Sequence, residues 1–524
     1  MMGSRGFITK VALLLLGGAA TAAVADFTNP VLWEDLADLD IFRVGDAFYY
    51  SASTMAYSPG APILRSYDLV NWEFVGHSVP VLDFGPTYDL DGGQAYVEGI
   101  WASFCNYRPS NQLFYWGGCI RSDLKTHIYT ASDASGEWSK HAVIDNCYYD
   151  AGLLVDTDDK LYVAYGSTNI NVAELSADGT SEVSSQVVFN SPSNPGYIEG
   201  SRFYNINGTY YIFLTRPPDA EYVLKSTSGP FGPYEGRYLV DRVGAPVASA
   251  GAPHQGGIVD TPNGDWYYMS FIDAYPGGRM PVLAPITWDD EGWPSVTLVN
   301  GAWGQTYPSP DVPAAPATVE PPTGIDTFSG SALSHQWEWN HNPDNTKWSL
   351  DGGLRLQTAT VTDDLYAARN TLTHRILGPA STGTIVLDFS SMADGDRAGL
   401  SLFRDQSAWI GIVKDNGATK IAMWDDITMD ADWNTNSTGS EVASADISGS
   451  RVWLRLAADI APAGTKQGVF SYSTDGETFT TLGTPFTMIT AWQYFIGYRF
   501  GIFNFATQAL GGSVLVESFE MVLS

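Results

Sequence analysis

Five times before residue 300, a turn signal precedes an aromatic-rich run of alternating apolar and polar positions. Gly45-Asp46 precedes Phe48-Tyr49-Tyr50, Ser110-Asn111 precedes Leu113–Trp116, and Asp158-Asp159 precedes Leu161–Tyr165. Asn207-Gly208 precedes Tyr210–Phe213, and Asn263-Gly264 precedes Trp266–Met269. A short hydrophobic run lies upstream of each turn, such as Ile41–Val44 or Gly152–Val155. Strand, tight turn, strand is a hairpin. Five hairpins spaced by about 50–65 residues, with further strands between them, predict a five-bladed β-propeller over residues 26–306.

Around 307–324 the pattern breaks into a proline-rich stretch with Pro308, Pro310, Pro313, Pro316 and Pro321-Pro322. Proline cannot donate to a ladder, so a stiff linker is expected there. Beyond it, Leu354–Leu356, Ile385–Phe389, Leu400–Phe403, Val452–Leu456, Val469–Tyr472 and Val514–Val516 alternate with a period of two. A second domain over 325–524, a β-sandwich of jelly-roll type, follows. The fold class expected is all-β: a five-bladed β-propeller, then a β-sandwich. Trp337 and Trp339 are expected in its core, since tryptophan is on average highly buried.

The chain has 524 residues, of which 44% are hydrophobic and 13% aromatic, so wholesale disorder is excluded. Its 58 acidic and 27 basic residues give a formal charge of −31, which would repel a polyanion. Nucleic acid and acidic membranes are therefore poor partners. Residues 1–25 read as a signal peptide: Arg5 and Lys10 precede the apolar run Val11–Leu16, and Ala23-Val24-Ala25 offers a cleavage site. A secreted, extracellular protein is expected. Two sequons, Asn207-Gly208-Thr209 and Asn436-Ser437-Thr438, agree with export. Three cysteines, Cys105, Cys119 and Cys147, close at most one disulfide, and spacing leaves the pair open. There is no CxxC and no Cys/His cluster, so a zinc site is not expected.

In a propeller, the innermost strand of every blade starts beside the central channel. Counting back about eight to ten residues from each hairpin turn gives Asp38, Trp101, Asp150, Glu199 and His254. Three carboxyl groups, an indole and an imidazole would ring one funnel. Glycoside hydrolysis needs one carboxylic acid to protonate the leaving oxygen and one carboxylate to activate water or attack the anomeric carbon. A third acid nearby raises the pKa of the protonated one. The same acids could instead cap strand starts or bind a channel cation. A carbohydrate-binding lectin is the rival from another class, although recognition alone needs neither a proton donor nor a base.

Several segments resemble glycoside hydrolase family 43. Asp38–Asp46 resembles that family's first-blade motif, and Ser66–Trp72 its "S-x-D-L-x-x-W" strand end. Gly99–Ala102, Asp150–Leu153, Glu199-Gly200, His254–Gly257, Gly278-Arg279 and Leu283–Trp288 match in order. Asp326–Phe328, Trp337–Pro343 and Asp394–Leu400 are similar to the concanavalin-like C-terminal domain of family β-xylosidases. Asn29–Asp35 and Tyr57–Pro62 look closest to the fungal type acting on arabinoxylan. Invertase-like enzymes share five blades, but the chain has no Asn-Asp-Pro-Asn or Arg-Asp-Pro motif.

The resemblance implies a secreted, exo-acting hydrolase of plant hemicellulose that works with inversion. The favoured activity is α-L-arabinofuranosidase on arabinoxylan side chains, with β-xylosidase on xylo-oligosaccharides as the alternative. Asp38 would be the general base and Glu199 the general acid, with Asp150 raising the pKa of Glu199 and holding it. Trp101, His254 and Arg279 would line the sugar pocket, the Arg279 fork meeting vicinal hydroxyls. No cofactor is required, a structural calcium in the channel is left open, and a monomer is expected. Departures from the family pattern are Met55, where xylosidases carry an aromatic, and Leu39, Ser103 and Ser201, where prolines are usual. The C-terminal domain could bind polysaccharide, complete the rim of the site, or stabilise the propeller.

Overall fold

The computed structural model describes residues 26–524. The targeting segment read at residues 1–25 lies outside the described residues. Five four-stranded antiparallel sheets form the blades, and each predicted turn joins the first two strands of one blade. Their innermost strands are Asp40–Val44, Phe104–Arg108, Gly152–Val155, Glu199–Ile206 and His254–Asp260, which neighbour one another around the axis.

Side-chain and strand contacts close the ring between the fifth and first blades. Arg43 pairs with Asp260 at 2.6 Å across that seam. Strand Asp26–Thr28 pairs with Thr306–Pro308. The Asn29 side chain donates to the carbonyls of Leu283 and Gly304 at 2.9 and 3.0 Å. Tyr307 and Pro308, read from sequence as the start of the linker, thus belong to a closing strand. Its sheet has only two strands, so the missing proline N–H disturbs no further ladder.

The second unit is a sandwich of one nine-stranded and one eight-stranded sheet. Strand Arg451–Asp459 shows why the sequence folds this way: Val452, Leu454, Leu456 and Ala458 face the core, and the residues between them do not. The valine and each leucine contribute about 1.5–3 kcal/mol on burial. Trp337 and Trp339 are buried, as expected from their size. One disulfide joins Cys119 to Cys147, and Cys105 is a free buried thiol.

The two units share a sheet. Tyr57–Ser58, between the second and third strands of the first blade, pairs with Trp339–Asn340 as the edge of the eight-stranded sheet. Behind that edge lies a buried charge cluster. Glu338 accepts hydrogen bonds from Arg375 (3.0 Å), Arg499 (2.6 Å) and the propeller's His77 (3.0 Å). The Arg499 guanidinium lies 3.7 Å over the Tyr57 ring. Despite complete burial, the two arginines hold the Glu338 carboxyl well below the usual range. Glu34, buried beside them, is pushed up to about 7 by desolvation, and Asp40 in the propeller to about 6 for the same reason.

These shifts predict the pH dependence of stability. A carboxyl whose folded pKa exceeds its unfolded value loses stabilisation as pH rises between the two values. For Glu34 that window runs from 4.5 to about 7. Glu338 acts oppositely: its contribution is present above its ordinary value of 4.5 and is lost as pH falls below it. The thermal midpoint is therefore expected to rise by a few degrees from about pH 7.5 to about pH 5 and to drop below that. Glu34→Gln should remove its own share of the rise and leave the part due to Asp40. Differential scanning calorimetry checks this, and a wild-type midpoint falling steadily from neutrality would refute it.

Candidate active site

Asp38 and Asp150 each stand two residues before an innermost strand, Trp101 stands three before one, and Glu199 and His254 are first in theirs. All five, with Arg279 at the start of strand Arg279–Trp288, line one cavity of about 480 Å³. The spacing argument thus brought together residues more than 200 positions apart. Asp38 and Asp150 have φ of +57° and +51°, a left-handed turn that re-aims each side chain as the strand begins.

Asp38 is gripped from two sides. Arg279 donates through Nη1 to Oδ1 (2.8 Å) and through Nη2 to Oδ2 (2.9 Å), and Ser53 Oγ donates to Oδ2 (2.7 Å). The Arg279 fork, assigned from sequence to sugar hydroxyls, here faces Asp38. Its Nε donates to the Phe495 carbonyl at 3.2 Å, so two N–H groups remain for a ligand.

Glu199 accepts from the Tyr149 and Tyr197 hydroxyls at 2.8 and 2.7 Å, both on Oε2. With Oε2 occupied as an acceptor, Oε1 is the oxygen left to carry a proton. Asp150 is pushed well above the usual carboxyl range, first by burial and then by the charges of Glu199 and Asp38. Like charges at such a site resist ionising together, so this group retains a proton that an exposed aspartate would lose.

His254 Nδ1 lies 3.0 Å from the Ala252 carbonyl, an acceptor, so that nitrogen carries a hydrogen and donates it there. The Arg121 guanidinium lies 4.6 Å from the Trp101 ring centre, and the tilted Phe495 ring lies 5.4 Å from it. Met55 forms part of the wall. Its amide and carbonyl pair with Ile100, and Gly99 beneath it has φ +85° with Met55 O only 2.4 Å from where a Cβ would sit. Only glycine fits there.

The sequence reading missed Tyr149, Tyr197 and Ser53, and it left the role of the second domain open without naming a residue from it. Tyr149 precedes Asp150 and Tyr197 lies two residues before Glu199, so motif flanks were the available signal. Trp492 and Phe495 had none. They come from the sandwich and line the same cavity. Their loop is pinned to the propeller by Gly497 N–H to Asp35 Oδ2 (2.9 Å) and Tyr498 N–H to the Pro276 carbonyl (3.1 Å). Of the three roles open to the C-terminal domain, it does complete the site.

Carboxyl groups from three blades meeting beside an aromatic wall are the arrangement that glycoside hydrolysis needs. The comparisons with known proteins agree: residues 27–294 match the glycosyl hydrolases family 43, and residues 325–522 match the β-xylosidase C-terminal concanavalin A-like domain. The chain belongs to glycoside hydrolase family 43. A β-xylosidase of Formosa agariphila is 29% identical over 94% of this chain and 90% of its own length. A non-reducing-end α-L-arabinofuranosidase of Bacteroides ovatus is 27% identical over 79% of this chain and 81% of its own. One solved structure superposes with a TM-score of 0.93 and 51% identity over 95% of this chain and all of that one. It is a family 43 enzyme whose engineered active site displays endo-xylanase and exo-arabinofuranosidase activity. Most of the curated relatives are bacterial, so the fungal subtype rests on the residues alone.

Proposed function

We propose that the protein is a secreted, monomeric, exo-acting α-L-arabinofuranosidase of the fungal type that removes arabinose side chains from arabinoxylan with inversion. The observation that carries this reading is the 51% identity, over 95% of the chain, to an engineered family 43 enzyme displaying both endo-xylanase and exo-arabinofuranosidase activity. Met55 lies in the cavity wall, where the family resemblance leads one to expect an aromatic in a xylosidase.

In the mechanism we infer, Asp38 is the base. Its carboxylate, oriented by Arg279 and Ser53, takes a proton from a water as the water oxygen bonds to the anomeric carbon. Glu199 is the acid. Tyr149 and Tyr197 fix Oε2, and Oε1 gives its proton to the glycosidic oxygen as the bond to the anomeric carbon breaks. The products are free arabinose and the restored chain hydroxyl, and exchange with solvent moves the proton from Asp38 and resupplies Glu199. Asp150 opposes a second negative charge beside Glu199, so the pair keeps a proton available. Trp101 and His254 hold the sugar ring through its face and a hydroxyl. No metal takes part in this reading.

β-Xylosidase activity is the second reading, favoured by the 29% identity to the Formosa enzyme over nearly its whole length. The two are separated by kcat/KM on nitrophenyl α-L-arabinofuranoside and nitrophenyl β-D-xylopyranoside. A preference for the arabinoside of about 100-fold is expected, since a site built around hydroxyls rejects a misplaced one strongly. A preference for the xyloside would establish the rival.

A further inference from the structure

Arg202 is only 1% exposed, and all four of its hydrogen bonds go to main-chain carbonyls. Nη2 donates to Asp38 O (2.7 Å), Nε to Leu39 O (2.6 Å), and Nη1 to Ala151 O (3.1 Å) and Ser201 O (2.7 Å). These carbonyls belong to the three segments that carry Asp38, Asp150 and Glu199. One planar group therefore ties together the first, third and fourth blades at the level of the carboxyl groups. Its charge is matched by Asp40, 3.6 Å away, which in turn accepts from the Cys105 N–H of the second blade (3.0 Å).

Two further features make this a fixed spacer. Ser201 N–H donates to Asp150 O at 2.8 Å, a further main-chain tie between the segments that carry Glu199 and Asp150. At Gly152 a Cβ would lie 2.6 Å from Ser201 O and 2.7 Å from Arg202 Cα, so the third and fourth blades touch backbone to backbone. Asp38 and Asp150 also sit at positive φ, a costly conformation for a non-glycine residue that persists only where the surroundings over-determine it.

We propose that Arg202 is the positioning residue that sets the mutual spacing of the three carboxyl groups, acting through the main chain and touching neither sugar nor water. This rests on the reading of Asp38, Asp150 and Glu199 as the reacting acids. Lysine keeps the charge but replaces a rigid fork with a single point, so it cannot span the four carbonyls. A displacement of about 1 Å at reacting groups costs about 100-fold in rate.

The test is steady-state kinetics on nitrophenyl α-L-arabinofuranoside and on arabinoxylan, with circular dichroism and thermal melts alongside. Arg202→Lys is expected to fold, to lose about 100-fold in kcat and to change KM by less than about threefold. Gly152→Ala, which leaves Arg202 in place but wedges the same two blades apart, should show the same selective loss of kcat. Arg108→Lys, whose buried fork binds Asp159 and the Ala177 carbonyl away from the cavity, should lower the melting temperature with kcat unchanged, the pattern of a purely structural arginine. A folded Arg202→Lys with wild-type kcat overturns the proposal, as does failure of both Arg202→Lys and Gly152→Ala to fold, which would make this a folding contact. Glu199→Gln in the same assay separates the two levels. If it keeps wild-type turnover on arabinoxylan, the reading of the acids fails; if it is inactive while Arg202→Lys is not, only the spacer fails.

Discussion

Glu199→Gln is expected to lower kcat on arabinoxylan by about 10²–10⁴-fold, with the fold intact. Glutamine keeps the size of the side chain and its carbonyl can still accept from Tyr149 and Tyr197, which donate at 2.8 and 2.7 Å. What disappears is the proton for the leaving oxygen. The loss should therefore depend on the leaving group. A sugar alkoxide needs protonation badly, whereas a nitrophenolate leaves well without it, so the defect should shrink markedly on nitrophenyl arabinofuranoside. Asp38→Asn removes the base instead, and its loss should be similar on both substrates. It also leaves the Arg279 fork without the carboxylate it grips at 2.8 and 2.9 Å. Equal losses for Glu199→Gln on both substrates would show that its role is not proton donation.

Glu338→Ala is expected to produce the largest loss of stability, about 3–5 kcal/mol, because it strands Arg375 and Arg499 as buried charges without their shared partner. Exposed pairs set the contrast. Arg451–Glu517 lies on the surface, and breaking it should cost no more than about 1 kcal/mol. The effect should reach the chemistry, because the strand carrying Glu338 pairs with Tyr57–Ser58, which follows directly on Met55 and Ala56. Urea unfolding followed by tryptophan fluorescence measures it. A change within about 1 kcal/mol would mean that the seam relaxes to admit water and that the two units are less dependent on each other than their shared sheet implies.

The blades were legible because hairpin turns and period-two runs are local, and five of them recur. Asp38, Trp101, Asp150, Glu199 and His254 followed from that repeat: equivalent strand starts must meet at the axis. Arg279 came only from the family pattern, and its engagement with Asp38 depends on a tertiary approach that no spacing encodes. The same holds for Phe495, which reaches the cavity from the other domain through a loop pinned at Gly497, where a Cβ would lie 2.1 Å from Gly277 O. Prolines misled once: Pro308 sits in a strand because that strand is at an edge. Arg202 lies three residues beyond Glu199, yet its role emerges only when four distant carbonyls converge on it.

Proton NMR of arabinoxylan during hydrolysis tests the central claim most directly, since it resolves both the sugar released and the anomer first formed. The account predicts free arabinose appearing first as the β-anomer, opposite to the α-linkage cleaved, and mutarotating afterwards. Xylose as the main product, or arabinose appearing first as the α-anomer, would contradict it.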